Sequence, residues 1–178
     1  MTDDRRALVA SLIRDVPDFP KPGVVFKDIT PLLASAEGFL AAVSGLVATA
    51  PEGIDVVVGM EARGFIFAAP VAIALGAGFV PVRKPGKLPG ATISHSFELE
   101  YGNETLTMHK EAIRPGARVL VVDDVLATGG TVSATAELLH QMGADLVHVS
   151  VVMELAFLGA RQRLAEAGID NCSALVTV

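Results

Sequence analysis

The sequence predicts an α/β fold, with one mainly parallel, twisted sheet flanked by helices. Short apolar runs typical of buried strands alternate along the chain with segments whose apolar residues recur at helical spacing. This alternation implies right-handed strand–helix–strand crossovers, and therefore parallel strands. The chain has 178 residues, of which 51% are hydrophobic and 19% charged, so apolar burial can offset the entropy lost on folding. We therefore expect residues 1–178 to form a single domain, and a disordered protein is excluded.

In the N-terminal half, helical spacing and apolar runs define the expected elements. Leu8, Leu12 and Val16 recur at helical spacing, and Pro17 ends that helix. Residues 18–33 are rich in proline and glycine, which favours an irregular loop. The later elements are a helix after Ser35 with Phe39, Leu40 and Val43 on one face, a buried strand at 55–59, a helix from 63 to 76 and a strand at 79–82.

The C-terminal half continues the alternation after a basic, loop-like segment. Residues 94–108 alternate loosely between polar and apolar side chains, which predicts a hairpin with its turn at 101–104. The strongest strand pattern is 118–122, which ends at Asp123 and Asp124 before a glycine-rich turn. The remaining expected elements are a helix over 131–142, a strand at 146–152, a helix that ends near 167 and a strand at 174–178.

Charge and cysteine content favour an intracellular protein that does not bind nucleic acid. The net charge is −6, whereas nucleic-acid-binding proteins usually carry a basic face. The single cysteine, Cys172, excludes an intrachain disulfide and suits a reducing compartment. No apolar segment typical of a secretory signal is visible in the first ten residues. These features predict a cytoplasmic location.

A membrane span is an alternative for the uncharged stretch 64–82, which is about long enough to cross a bilayer. Pro70, Gly76, Gly78 and Pro81 interrupt it. A buried helix, a turn and a short strand explain these residues better than a membrane helix does. We therefore expect no membrane association.

Residues 121–131 (VVDDVLATGGT) carry the clearest signal of chemistry, because a strand there leads into a small-residue turn and a helix. In an open parallel sheet, ligands bind at the carboxyl ends of the strands. The turn residues can direct several backbone N–H groups toward one point, and the helix adds its positive end. Together these features form a cradle for a phosphate group, lined by Ala127, Thr128, Gly129, Gly130 and Thr131.

The acidic pair before this cradle indicates what the phosphate is attached to. Carboxylates accept hydrogen bonds from sugar hydroxyls but repel phosphate. A sugar phosphate lying lengthwise would therefore place its hydroxyls on Asp123 and Asp124 and its 5′-phosphate on residues 127–131. The chain contains neither GxxxxGK[ST] nor GxGxxG, so a Walker-type loop and a dinucleotide fold are unsupported. A solvated acidic turn would explain the two carboxylates, but not the Thr-Gly-Gly-Thr run.

Segment 121–131 resembles the phosphoribosyl-pyrophosphate (PRPP) motif of the type I phosphoribosyltransferases. Further segments resemble the adenine-specific branch of this family, in order and over nearly the full length: 19–33 (FPKPGVVFKDITPLL), 59–72 (GMEARGFIFAAPVA), 80–90 (VPVRKPGKLPG) and 99–102 (LEYG). The resemblance implies the type I phosphoribosyltransferase fold. It also implies transfer of the 5-phosphoribosyl group from PRPP to adenine with Mg²⁺, which yields AMP and pyrophosphate in purine salvage.

The resemblance also implies roles for residues outside the cradle. Arg63 is expected to be catalytic and to hold a pyrophosphate oxygen, for which a guanidinium is well suited. The basic side chains of Arg83, Lys84 and Lys87 are expected to attract PRPP and to neutralise the leaving pyrophosphate.

Glu100 matches a catalytic glutamate on a mobile lid, where its carboxyl would exchange a proton with the purine ring, and Tyr101 would pack over the site. For the adenine pocket, the resemblance indicates Val25, Phe26 and Lys27, with Leu155 or Phe157 on the other wall. Phe26 would stack on the base and backbone groups would recognise its edge. Backbone recognition would explain why Lys27 stands where many relatives have arginine.

The implied organisation has a small N-terminal hood and a lid. Residues 1–34 would form the N-terminal helix and the base-binding hood loop, and residues 84–108 the basic loop and the flexible lid hairpin. A homodimer is expected from the resemblance. The four histidines and Cys172 show no metal-ligand spacing, so we expect Mg²⁺ to be held mainly by PRPP and water, with no direct protein ligand.

Two alternatives remain open at this stage. The first is a phosphoribosyltransferase for another base, such as hypoxanthine, guanine or orotate, although segments 19–26 and 99–102 favour adenine. The second is a non-catalytic regulator that senses PRPP. Such regulators usually add a DNA-binding module, and no such extension fits before Val24. A purely structural protein would leave the phosphate cradle unexplained.

Overall fold

Strands and helices alternate along the chain in the computed structural model, which describes residues 2–98 and 103–178. In chain order the elements are α1 (Asp3–Ser11), β1 (Arg14–Pro17), β2 (Val25–Asp28), α2 (Thr30–Ala34), α3 (Ala36–Thr49), β3 (Val56–Met60), α4 (Gly64–Leu75), β4 (Gly78–Val82), β5 (Thr92–Glu98), β6 (Asn103–His109), β7 (Arg118–Leu126), α5 (Gly130–Gln141), β8 (Asp145–Glu154), a 3₁₀ turn (Ala156–Leu158), α6 (Ala160–Glu166) and β9 (Cys172–Thr177).

A five-stranded parallel sheet, in the order β4–β3–β7–β8–β9, confirms the predicted fold class. Its inner strands are apolar on both faces because both faces are covered. Val57 and Leu120 pack into the layer formed with α1–α4. Val58 and Val121 pack into the opposite layer, formed with α5, α6 and the β5–β6 hairpin.

The strand order places a topological switch point between β3 and β7. From β3 the chain passes to β4 on one side, whereas β7, the other neighbour of β3, leads on to β8 and β9. The connections at the carboxyl ends of β3 and β7 therefore turn in opposite directions. A crevice opens between such connections, and ligands of open α/β sheets bind there.

Two antiparallel hairpins lie outside the main sheet. The β1–β2 hairpin is part of the N-terminal segment. The β5–β6 hairpin forms as expected, and a bridge between Arg83 and Thr107 joins it to the end of β4. Its expected turn at 101–104 lies partly outside the described residues.

The N-terminal segment differs from the sequence-based prediction. The first helix ends at Ser11, and Arg14–Pro17 is a strand rather than the end of that helix. The strand forms because it pairs with β2, where Lys27 Nζ lies 2.7 Å from Asp15 Oδ1. The expected loop at 18–33 thus contains β2 and the start of α2. On α3, Leu40 is 65% exposed, so its predicted place on the buried face was wrong.

β7 is longer than its apolar run predicted. It continues through Asp123 and Asp124 to Leu126, because β8 is also longer and pairs with it as far as Glu154. The two carboxylates are therefore held in a paired strand rather than in the turn after it.

The uncharged stretch 64–82 divides into α4 and β4. Over residues 2–98 and 103–178, no helix is long and apolar enough to cross a membrane.

Candidate active site

A cleft of about 210 Å³ opens at the carboxyl ends of β3 and β7, where the strand order predicts a ligand site. Three segments line it: the loop after β3, the end of β7 and the turn into α5. The lining residues are Glu61, Ala62, Arg63, Asp123, Asp124, Val125, Leu126, Ala127, Thr128, Gly129, Gly130, Thr131 and Val132. The predicted cradle, the acidic pair and Arg63 thus share one cleft.

The turn into α5 has the geometry that the predicted cradle requires. Gly129 has a φ of 81°, which only glycine adopts without strain, and α5 begins at the next residue. A Cβ on Gly129 would also lie 3.3 Å from the carbonyl oxygen of Ala160. The first N–H groups of a helix lack intrahelical partners and carry its positive end. An anion in this cleft would meet these groups.

The carboxylate of Asp124 is buried in the cleft and only partly compensated. Asp124 is 4% exposed, and its Oδ2 lies 2.8 Å from Arg63 Nε. This contact is an ion pair without hydrogen-bond geometry, so among the described residues the buried Oδ2 accepts no hydrogen bond. Asp123 Oδ1 accepts one from the backbone N–H of Asp124, at 2.9 Å. A ligand with hydroxyl donors would satisfy the unused acceptor.

The electrostatics of the pair favour such a ligand. Burial raises the pKa of the Asp123 carboxyl well above its usual range, and the neighbouring Asp124 raises it further. Burial also raises the pKa of Asp124, although Arg63 opposes this shift. Two adjacent carboxylates, of which Asp124 is buried and Asp123 partly buried, are costly to ionise together, so hydrogen-bond donors from a ligand would stabilise them.

Gly64, at the start of α4, allows the helix to approach β7 closely. A Cβ at this position would lie 2.6 Å from Asp123 Oδ1 and 3.2 Å from the carbonyl oxygen of Val122. The position of Asp123 therefore depends on the absence of a side chain at residue 64.

Replacing Gly64 with alanine is expected to lower the free energy of unfolding by about 1–3 kcal/mol, because the new methyl group must displace Asp123 or the β7 backbone. Gly78→Ala is the matched control, since its Cβ would meet no atom closer than 3.8 Å. Denaturant unfolding of both variants measures the difference. Equal stability of the two variants would show that the approach of α4 to β7 can relax without cost.

The N-terminal hood reaches the same cleft through Phe26. The Arg63 guanidinium carbon lies 5.3 Å from the centre of the Phe26 ring, and the Phe19 ring packs edge-on against Phe26 at 5.1 Å. Val25 is half exposed. Lys27 points to Asp15 on β1, so its side chain is engaged within the hairpin.

The basic cluster does not line the cleft. Arg83 Nε and Nη2 donate to the Glu61 carboxylate at 3.1 and 3.4 Å, and Arg83 Nη1 donates to the Lys87 carbonyl at 3.1 Å. Lys84 Nζ lies 2.6 Å from Glu104 Oε1. Glu61, to which the sequence-based reasoning gave no role, links the cleft to this cluster. Its closeness to Arg63 in the sequence was the one signal that could have identified Glu61 as a residue of the site.

The other predicted residues lie outside the cleft or outside the described residues. Leu155 follows β8, donates its N–H to the Leu126 carbonyl at 2.9 Å, and packs against the core below α1–α4 rather than lining the cleft. Glu100 and Tyr101 lie outside the described residues.

A larger cavity of about 450 Å³ lies at the opposite edge of the sheet, next to the starts of β8 and β9. Its polar lining includes Glu137, His140 and Asp170. None of the predicted site residues lies there.

Comparisons with known proteins show what the chain is similar to. Residues 27–173 match the family described as "Phosphoribosyl transferase domain". The adenine phosphoribosyltransferase of Cutibacterium acnes is 65% identical over 174 residues, which are 98% of each chain. The solved adenine phosphoribosyltransferase of Thermoanaerobacter pseudethanolicus has a TM-score of 0.92 at 44% identity, covering 97% of this chain and 99% of that one.

A third relative was solved with ligands. It is the adenine phosphoribosyltransferase of Saccharomyces cerevisiae, in complex with an imino-altritol bisphosphate and adenine. Its TM-score is 0.90 at 37% identity, and the match covers 98% of this chain and 99% of that one. Fold, cleft and relatives agree, and the chain belongs to the adenine phosphoribosyltransferase family.

Proposed function

We propose that the cleft between β3 and β7 carries out the reaction of this family. The reaction transfers the 5-phosphoribosyl group from PRPP to adenine and yields AMP and pyrophosphate, as part of purine salvage. The observation that carries the assignment of the site is the order of groups along the cleft. The amide cradle is followed by the buried carboxylates, then by Arg63 against Asp124 and by Phe26 against Arg63.

This order fits PRPP lying lengthwise. The 5′-phosphate is placed on the N–H groups of residues 127–131, where the start of α5 favours an anion. The ribose hydroxyls donate to Asp123 and Asp124, whose buried acceptor is otherwise unused. Arg63, which contacts Asp124, binds the diphosphate.

Adenine then lies at the hood, beside Phe26. Phe26 offers a ring face for stacking, and the backbone of Val25 and Lys27 recognises the edge of the base. The engagement of the Lys27 side chain with Asp15 supports recognition by the backbone. The relative from S. cerevisiae was solved with adenine bound, which supports a base site in this chain.

Catalysis in this arrangement is positioning plus stabilisation of charge, because PRPP already carries a good leaving group. Arg63 neutralises charge on the departing pyrophosphate. Arg83, Lys84 and Lys87 add positive charge near the entrance, and the carboxylates of Glu61 and Glu104 hold the first two until an anion competes for them. Glu100 exchanges a proton with the purine ring, and Tyr101 covers the site.

The donor set fits a Mg²⁺ ion that binds with the substrate. Mg²⁺ keeps several of its waters and is usually bound through substrate phosphates with one or two carboxylates. The described residues contain no group of three or more histidine, cysteine or acidic side chains that could hold a metal ion, and the unused oxygen of Asp124 is the proposed acceptor for the ribose. PRPP and water would hold the ion, and it would neutralise charge on the pyrophosphate. We expect the reaction to take place in the cytoplasm.

We expect a homodimer formed through α4 and β4. Ile66 and Ile73 on α4 are 39% and 82% exposed, and Phe79 on the edge strand β4 is 37% exposed. This apolar face continues into the basic segment, since Arg83 lies 5.9 Å from the Phe65 ring. A second copy on this face would bring basic side chains toward the neighbouring cleft. A solution mass of twice 18.5 kDa at assay concentration would support the dimer, and a monomeric mass would contradict it.

Product formation by the purified protein with PRPP, Mg²⁺ and a panel of bases tests the proposed function. AMP is expected from adenine, with little or no product from hypoxanthine, guanine or orotate. Product from another base in place of adenine would overturn the assigned substrate. Salt-dependent DNA binding without turnover would favour a regulator instead.

A further inference from the structure

A positive charge that sequence reasoning overlooked lies next to the phosphate cradle. Arg163 Nη1, on α6, is 3.4 Å from the position that a Cβ on Gly130 would occupy. The Phe97 ring lies 3.2 Å from the same position. Among the described residues, the Arg163 side chain forms no salt bridge, although it borders the first residue of α5.

The neighbouring residues hold α6 firmly at this place. Arg161 donates to both oxygens of the buried Glu154 carboxylate, at 2.9 and 2.7 Å, and also donates to the Cys172 carbonyl. This clamp fixes the start of α6 to β8 and β9. The next turn carries Leu164, which is 1% exposed and would lie 3.5 Å from a Cβ on Gly129. Arg163 therefore extends from a helix docked directly on the cradle.

We propose that Arg163 binds the 5′-phosphate of PRPP and AMP, as a further residue of the site described above. The inference rests on the proposed function, which places that phosphate on residues 127–131. A phosphate oxygen bonded to the Gly130 N–H would lie within about 10 Å of Arg163 Nη1 in any direction, given ordinary bond and hydrogen-bond lengths. This upper limit is slightly longer than the Debye length of about 8 Å at physiological ionic strength, so salt screens part of the attraction and lower salt strengthens it. Phe97 excludes water from one side of Gly130, and the lower local polarity strengthens the attraction between Arg163 and the phosphate.

The position of Arg163 makes the inference specific to one end of the substrate. Arg163 borders Gly130 in the cradle, whereas the hood meets the site through the contact of Phe26 with Arg63. Arg163 therefore affects ligands that carry a 5′-phosphate, which are PRPP, AMP and ribose 5-phosphate. Binding of free adenine depends on the hood and does not change.

Calorimetric titration of Arg163→Gln with AMP and with adenine is the test. We expect the Kd for AMP to rise about 5- to 30-fold at low salt, with a smaller rise at high salt, and the Kd for adenine to stay the same. Arg163→Lys restores most of the AMP affinity, because the charge is retained. Arg6→Gln, which removes a charge from the exposed helix α1, serves as the matched control and changes neither constant.

The outcomes distinguish an electrostatic role of Arg163 in phosphate binding from a role in stabilising the fold. Unchanged AMP affinity in Arg163→Gln, or failure of Arg163→Lys to restore it, would overturn the inference. Loss of adenine binding together with a lower Tm would show that Arg163 only supports the fold, which also overturns it. If the wild-type protein binds neither AMP nor PRPP, the proposed function fails and the inference falls with it.

Discussion

Asp124→Asn is expected to weaken PRPP binding about 100- to 1000-fold, because two charge-assisted hydrogen bonds to the ribose are replaced by poorer ones. Asp124 is 4% exposed, and its Oδ2 has no hydrogen-bond donor among the described residues. The carboxylate is therefore desolvated before the substrate arrives. Hydrogen bonds from the ribose hydroxyls then stabilise it without a further cost of removing water. Asparagine has the same shape but presents an amide group toward Arg63. Calorimetric titration with PRPP measures the loss.

The same substitution is expected to leave the protein folded. Relief of the repulsion between Asp123 and Asp124 offsets the lost ion pair with Arg63, so the free energy of unfolding stays within about 1 kcal/mol of wild type. Asp145→Asn is the matched control, because Asp145 is exposed at the opposite end of the sheet and lies 3.8 Å from Arg118. An Asp124→Asn protein that binds PRPP as tightly as the control would remove Asp124 from the binding site.

Glu100→Gln is expected to lower kcat about 100- to 10,000-fold while the Kd for PRPP changes little. Glutamine keeps the size of the side chain but cannot exchange a proton with the purine ring. Glu100 lies outside the described residues, but the strand before it reaches the site. Phe97, on β5, packs 3.2 Å from the position of a Cβ on Gly130, at the phosphate cradle.

Steady-state kinetics and PRPP titration of the same preparations separate catalysis from binding. Glu111→Gln removes an exposed carboxylate from the loop after β6 and is the matched control. Wild-type turnover in Glu100→Gln would exclude general acid–base catalysis by this residue. An equal loss of turnover and PRPP affinity would assign Glu100 to binding instead.

The sequence predicted most of the central fold because its signals are local. The apolar run before Asp123 and the glycines at 129 and 130 specify a strand, a turn and a helix start within a few residues. The structure confirms these elements within a few residues of their predicted bounds. The first strand was missed because Arg14–Pro17 becomes a strand only by pairing with β2.

The site likewise contains some features that local sequence signals predict and others that depend on how distant elements pack. The cradle and Arg63 follow strand ends, and the acidic pair lies near the carboxyl end of β7, so parallel strands were enough to bring them together. The engagement of Arg83 by Glu61 was not predictable, because it depends on how the ends of β3 and β4 lie side by side. Arg163 likewise reaches Gly130 only because α6 packs on the cradle.

The sequence by itself determined the order of the main strands and helices after residue 35 and the glycine-rich turn before α5, since periodicity and turn chemistry are properties of short segments. The resemblance of several segments to known enzymes indicated the family. Only the tertiary structure decided that β7 continues through the two carboxylates and that Arg63 pairs with Asp124 beneath Phe26. It alone also placed Arg163 beside the cradle. These arrangements depend on contacts between distant parts of the chain, which form when the sheet pairs and its helices pack.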